Sequence, residues 1–340
     1  MKRIAVTVAS SLFLLLSAHA NAVSPFTLQK EILLPGLQGK FDHFAIDLAG
    51  HRLFVAATGN HSVEVIDLAT GKVVQSITGL GKPHGLVWQT TSKALYVADG
   101  TQRNLQKYQG TPLKLAGTIA LSEDADDMVL NPDTHLLFVG HGGSDAANPA
   151  RVAVVDTEGF TLKTGIPVAT HPEALDLDLA GNRVFANIAD SSEVAVIDGN
   201  TNKIAATWGL TQAADNVPMA YDAADNILYL AARTPPNVIA LDASTGKELS
   251  RAPSGTGADD LFYDSSLHRV YVIAGAGEVD AYEVSAKTPL HSIGILPTAA
   301  GAKTALFVPS LSTLYVGIPG SGGHPAEIRV YSPAKVKGEK

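Results

Sequence analysis

The triplet Leu53-Phe54-Val55 recurs along the chain, and its recurrence limits what the chain can fold into. Matching triplets are Leu95-Tyr96-Val97, Leu137-Phe138-Val139, Val184-Phe185-Ala186, Leu228-Tyr229-Leu230, Val270-Tyr271-Val272 and Leu314-Tyr315-Val316. The seven copies are spaced by 42, 42, 47, 44, 42 and 44 residues. Self-similarity at such a period means stacked units, each burying its apolar faces against its neighbours.

Each copy has one internal plan. An apolar strand enters a polar turn ("DLAGHR", "NPDTHL", "DLAGNR", "DAADNI", "DSSLHR"), and the aromatic-centred strand follows. A third strand then ends in Asp, as in "VEVIDLATGKVV", and a fourth follows its turn. The segments alternate or run apolar over four to six residues, without the 3.6-residue period of helices. Four short strands per repeat, seven times over, predict an all-β, seven-bladed β-propeller. After Leu314-Tyr315-Val316 there is sequence for a third strand, "EIRVYS", but none for a fourth. "FTLQKEILL" (26–34) belongs to no repeat, so it is expected to complete the last blade and close the ring without free sheet edges.

The strand Leu95-Tyr96-Val97-Ala98, the copy Leu314-Tyr315-Val316 and the "VIDxxTGK" strand–turn–strand of Val65 to Lys72 resemble the YVTN-repeat β-propellers, including exported bacterial proteins of the YncE type. The resemblance spans about residues 26–335 and implies the fold more strongly than a function. Propellers of this shape serve as binding modules, lactonase-like hydrolases, lyases and redox-partner subunits.

Residues 1–22 differ in kind. A Lys2-Arg3 start, an apolar run from Ile4 to Leu16 and small residues at Ala20 and Ala22 predict a secretory signal peptide cleaved after Ala22. Residues 23–335 are read as one propeller domain and 336–340 as a polar tail. Losing Lys2 and Arg3 takes the formal charge from −8 to −10. That acidity argues against a nucleic-acid partner, since such binding rests on basic patches. With no cysteine, disulfides, thiolate metal sites and thiol catalysis are excluded. No apolar stretch after the leader is long enough to span a membrane. A soluble monomer, periplasmic or secreted, is expected.

Chemistry is expected where the first strands of the blades meet the channel. The residues entering those strands are Asp42, His84, Asp126, Glu173, Val217, Asp259 and Lys303, followed by His43, Gly85, Asp127, Ala174, Pro218, Asp260 and Thr304. In blade five Asn216 is the polar alternative to Val217. Six of seven blades thus open on a titratable side chain. Converging carboxylates repel unless a cation lies among them. Asp42, His84, Asp126 and Glu173 are therefore candidate ligands for a divalent cation: Ca²⁺ or Mg²⁺ for oxygen donors, Mn²⁺ or Zn²⁺ if histidine joins. Loops between second and third strands add His141, in "GHGGSDAANPAR", and Arg233, with His61, Asp99, Arg103, Asp190 and His324 as further polar positions.

The sequence contains no Gly-x-Ser-x-Gly elbow, His-Glu-x-x-His motif or phosphate-binding loop. Asp67, Asp156, Asp198 and Asp242 recur after third strands as turn residues. The expected role is a ligand-, metal- or protein-binding module acting through this polar ring, with a small molecule or an exported protein as partner. The alternative is a lactonase-like hydrolase or lyase using a divalent metal or a His/carboxylate pair at the same ring.

Overall fold

A computed structural model describes residues 24–143, 145–285 and 288–334. The expected leader (1–22) and tail (336–340) lie outside them. The chain forms seven sheets of four antiparallel strands. Blade one comprises Phe44–Asp47, Arg52–Ala57, Ser62–Asp67 and Lys72–Ile77, and the later blades repeat this order. The first strands are Phe44–Asp47, Pro83–Gln89, Met128–Asn131, Pro172–Asp178, Ala214–Asp222, Ala258–Asp264 and Ala305–Val308. Each touches the first strands of the blades before and after it, so together they wall a closed channel. The molecule is a seven-bladed β-propeller.

The repeated triplets explain the packing. Leu53, Phe54 and Val55 are wholly buried, as are Leu95, Tyr96 and Val97. Both faces of a second strand meet neighbouring blades, so its residues run apolar without alternating. Burying one such Leu or Phe side chain contributes about 2 kcal/mol. Outer strands such as Lys72–Ile77 are mostly exposed and show more polar sequence.

The turns between first and second strands share one geometry. His51, His135, Asn182, Asn226 and His268 all take positive φ just before the second strand. In blades one and four an Asp closes the turn: Asp47 accepts from the Gly50 amide at 2.9 Å and Asp178 from Gly181 at 3.0 Å. Asp67, Asp156, Asp198 and Asp242 likewise accept backbone amides of the following turn. These recurring polar residues are structural.

Phe26–Leu34 pairs antiparallel with Ala326–Pro333, from Phe26 opposite Pro333 to Leu34 opposite Ala326. Ile32 and Leu34 enter a core shared by blades seven and one, with Phe44, Val55, Tyr315 and Ile328. The ring is therefore closed by joining the two ends of the described chain within one sheet.

A candidate cation site at the channel mouth

The inner strands carry an irregularity where the polar residues lie. In blade one the Asp42 amide bonds to the Ala56 carbonyl, while the Ala56 amide bonds to the His43 carbonyl. Two residues thus oppose one. Asp126 and Asp127 oppose Gly140 in the same way. In blades two, four, five and six the pairing shifts at this level, between Pro83 and Leu86, Pro172 and Leu175, Asn216 and Met219, and Ala258 and Asp260. Such a bulge interrupts strict alternation and re-aims side chains. Consecutive residues such as Asp42 and His43 can therefore both serve the channel.

A cavity of about 180 Å³ lies at the mouth, lined by Asp42, His43, His84, Asp126, Glu173, Val217, Arg233, Asp259 and Lys303, with Lys40, Lys82 and Asp124. All seven aligned positions thus converge on one opening. Val217 supplies an apolar wall in blade five. Asn216 is fully buried instead, donating to Asn187 Oδ1 at 2.8 Å and the Glu193 carbonyl at 3.0 Å, so it faces protein and not the mouth. His141 also lies apart from this lining: it is buried, accepts from the Ser122 amide at 3.2 Å, and burial, with Arg151 beside it, pushes its pKa down to about 4. Asp127 and Asp260 line a second cavity of about 360 Å³ deeper in the channel. His43 and Asp259 belong to both.

Histidines and carboxylates interleave at the mouth. His84 Nδ1 lies 2.8 Å from Asp42 Oδ2 and 3.5 Å from Asp126 Oδ1. His43 Nε2 lies 3.7 Å from Asp42 Oδ1 and 3.9 Å from Asp126 Oδ1, while its Nδ1 faces Asp260 at 3.3 Å. His171 Nε2 lies 3.8 Å from Asp126 Oδ2, and its Nδ1 is 2.7 Å from the Gly142 carbonyl. The atoms of Asp42, His43 and Asp126 that could ligate a metal all lie within 4.8 Å of one another, and so do those of Asp126, His171 and Glu173. Lys303 Nζ pairs with Asp259 Oδ2 at 2.5 Å, and Arg233 pairs with the other oxygen of that carboxylate. Lys82 holds Asp124 at 2.9 Å.

Burial and charge oppose each other here. Burial works against ionised Asp42, yet the His84 hydrogen bond and the His43 charge hold its carboxyl well below the usual range. Burial works against protonated His43 too, but Asp260 leads the carboxylates that hold it well above an ordinary imidazole. Burial, reinforced by Asp126, pushes Glu173 up to about 7. Burial opposes charge on His171, but Asp126 outweighs it and raises the imidazole to about 9.

His171 escaped the sequence reading. It stands two residues before Glu173, and in an extended segment residues i and i−2 share a face. The corresponding positions in the first three blades hold Lys40, Lys82 and Asp124, all at the mouth. Reading the repeats at this offset would have found all four. Asp176 was also missed. It lines the deeper cavity, accepts the Tyr221 amide at 2.6 Å and has its pKa pushed up to about 6 by burial.

No protein-family model and no curated protein matches the chain. Among solved structures it is similar to a chain of hydrazine synthase from Kuenenia stuttgartiensis, with a TM-score of 0.73 at 16% identity, over 83% of this chain and 93% of that one. It is also similar to a chain of a mitotic checkpoint complex, with a TM-score of 0.76 at 12% identity, over 98% and 99%. At such identities the likeness extends to the propeller fold and no further.

Proposed function

We propose that this chain is an exported binding module of the YVTN-repeat kind, working through the mouth of its channel, where Asp126 and its neighbours bind a divalent cation. The leader-like residues 1–22 and the repeat motifs support the exported, YVTN-type part of this reading. The donor geometry carries the cation. His43 commits Nδ1 to a carboxylate, as metal-binding histidines do, and turns Nε2 toward Asp42 and Asp126. Tetrahedral donors about 2.1 Å from an ion are about 3.4 Å apart, near the 3.7 and 3.9 Å found here. Mixed imidazole and carboxylate donors favour Zn²⁺ or Mn²⁺ over Ca²⁺ and Mg²⁺, which prefer all-oxygen sites.

Thermal melts of the chelator-treated protein test this. Added Mn²⁺ or Zn²⁺ is expected to raise the melting temperature, and renewed chelation to reverse the gain. An unchanged melt with every divalent cation tried would refute the reading.

A further inference from the structure

We propose that the mouth binds two divalent cations bridged by the carboxylate of Asp126, an inference that rests on the cation-binding reading above. The two oxygens of Asp126 face different partners. Oδ1 faces His43 Nε2 at 3.9 Å and His84 Nδ1 at 3.5 Å, and Oδ2 faces His171 at 3.8 Å. Asp126 belongs to both three-residue donor sets, one with Asp42 and His43, the other with His171 and Glu173. A carboxylate presenting one oxygen to each of two donor sets has the form of a bridge between ions about 3.5–4 Å apart.

The groups behind the two imidazoles support both sets. His43 directs Nδ1 to Asp260, and His171 directs Nδ1 to the Gly142 carbonyl. Both arrangements fix the ring orientation that aims Nε2 at the site, where an arriving cation would take the place of a proton. His171 Nε2 is buried without a hydrogen-bond partner. His84, 4% exposed, also lines the mouth; its Nε2 makes no hydrogen bond and faces Asp124 at 3.7 Å, while its Nδ1 holds Asp42 Oδ2. That contact leaves Asp42 Oδ1 directed toward His43. His84 is thus assigned to positioning Asp42, and His171 takes the ligand role that the sequence pointed to at His84.

Three donors in each set are fewer than the four to six a divalent ion takes, so each ion would keep an open position.

The test is Mn²⁺ titration of the metal-free mature protein, followed by calorimetry and electron paramagnetic resonance. The expected result is two ions per chain with a spin-coupled signal. His43→Ala and His171→Ala should each bind one ion with an uncoupled signal, and circular dichroism should confirm that both variants are folded. One ion per wild-type chain would overturn the bridge and leave the single-cation reading standing. No bound ion would overturn both. Two uncoupled ions would overturn the role of Asp126.

Discussion

His84 Nδ1 and Asp42 Oδ2 lie 2.8 Å apart and tie the channel ends of blades one and two together. Both side chains are buried, so neither can readily exchange this contact for water. If His84 positions Asp42, then His84→Ala should weaken Mn²⁺ or Zn²⁺ binding about 10–100-fold, the usual cost of losing a group that orients a metal ligand. His84→Asn, which keeps a donor on a shorter side chain, should recover part of the loss. Calorimetric titration of both variants checks this; unchanged affinity in His84→Ala would remove His84 from the site.

Gly85 follows His84 and packs against the backbone of blade three. A Cβ there would overlap the Asp126 carbonyl oxygen and crowd Asp127 Cα. Gly85→Ala must therefore push blade three outward or distort the entry to blade two. A stability loss of about 1–3 kcal/mol is expected, as for overpacking elsewhere, together with weaker cation binding because Asp126 moves. Urea unfolding and a binding isotherm on the same sample separate the two effects.

The closing strand gives a contrast between neighbours. Ile32 is buried at 2% exposure, whereas Leu33 is 57% exposed. Ile32→Ala should cost about 2–4 kcal/mol through the cavity it leaves. Leu33→Ala should stay within about 0.5 kcal/mol. Equal effects in urea unfolding would contradict the register in which Ile32 opposes Ile328.

Asp280 gives a pH dependence away from the mouth. Its carboxyl is pushed up to about 6 from 3.8, chiefly by burial, although the Gly255 amide donates to it at 2.7 Å. The folded state therefore holds this proton more tightly than the unfolded chain does. Stability from this group is full below about pH 4 and is lost as pH rises through about 6. Asp280→Asn keeps an acceptor for Gly255 and removes the buried charge. It should raise the melting temperature at pH 8 by a few degrees relative to its effect at pH 4. Paired melts at the two pH values decide it.

Much of the architecture was legible because repetition averages out local ambiguity. One apolar triplet says little; seven at near-constant spacing specify the blade, and the missing fourth strand of the last repeat points to Phe26–Leu34. The aligned ring positions also meet at one opening. The site was read less completely. Asn216 and Val217 are adjacent in sequence, and only the local turn of the strand puts Val217 at the mouth and Asn216 against Asn187. His171 lay outside the two positions compared. His84 was legible as a mouth residue by type, but its 2.8 Å contact with Asp42 was not.

The sequence by itself determined the number of blades, their strand order and the titratable character of the channel mouth, because each follows from apolar spacing and residue type repeated along the chain. The tertiary structure decided which side chains meet. The donor sets draw on Asp42 and His43 from blade one, Asp126 from blade three, and His171 and Glu173 from blade four. Residues 84 positions apart become neighbours only when the ring closes. The orientation of each imidazole then depends on which carbonyl or carboxylate its second nitrogen finds, and that is a property of packed backbone at the bulges.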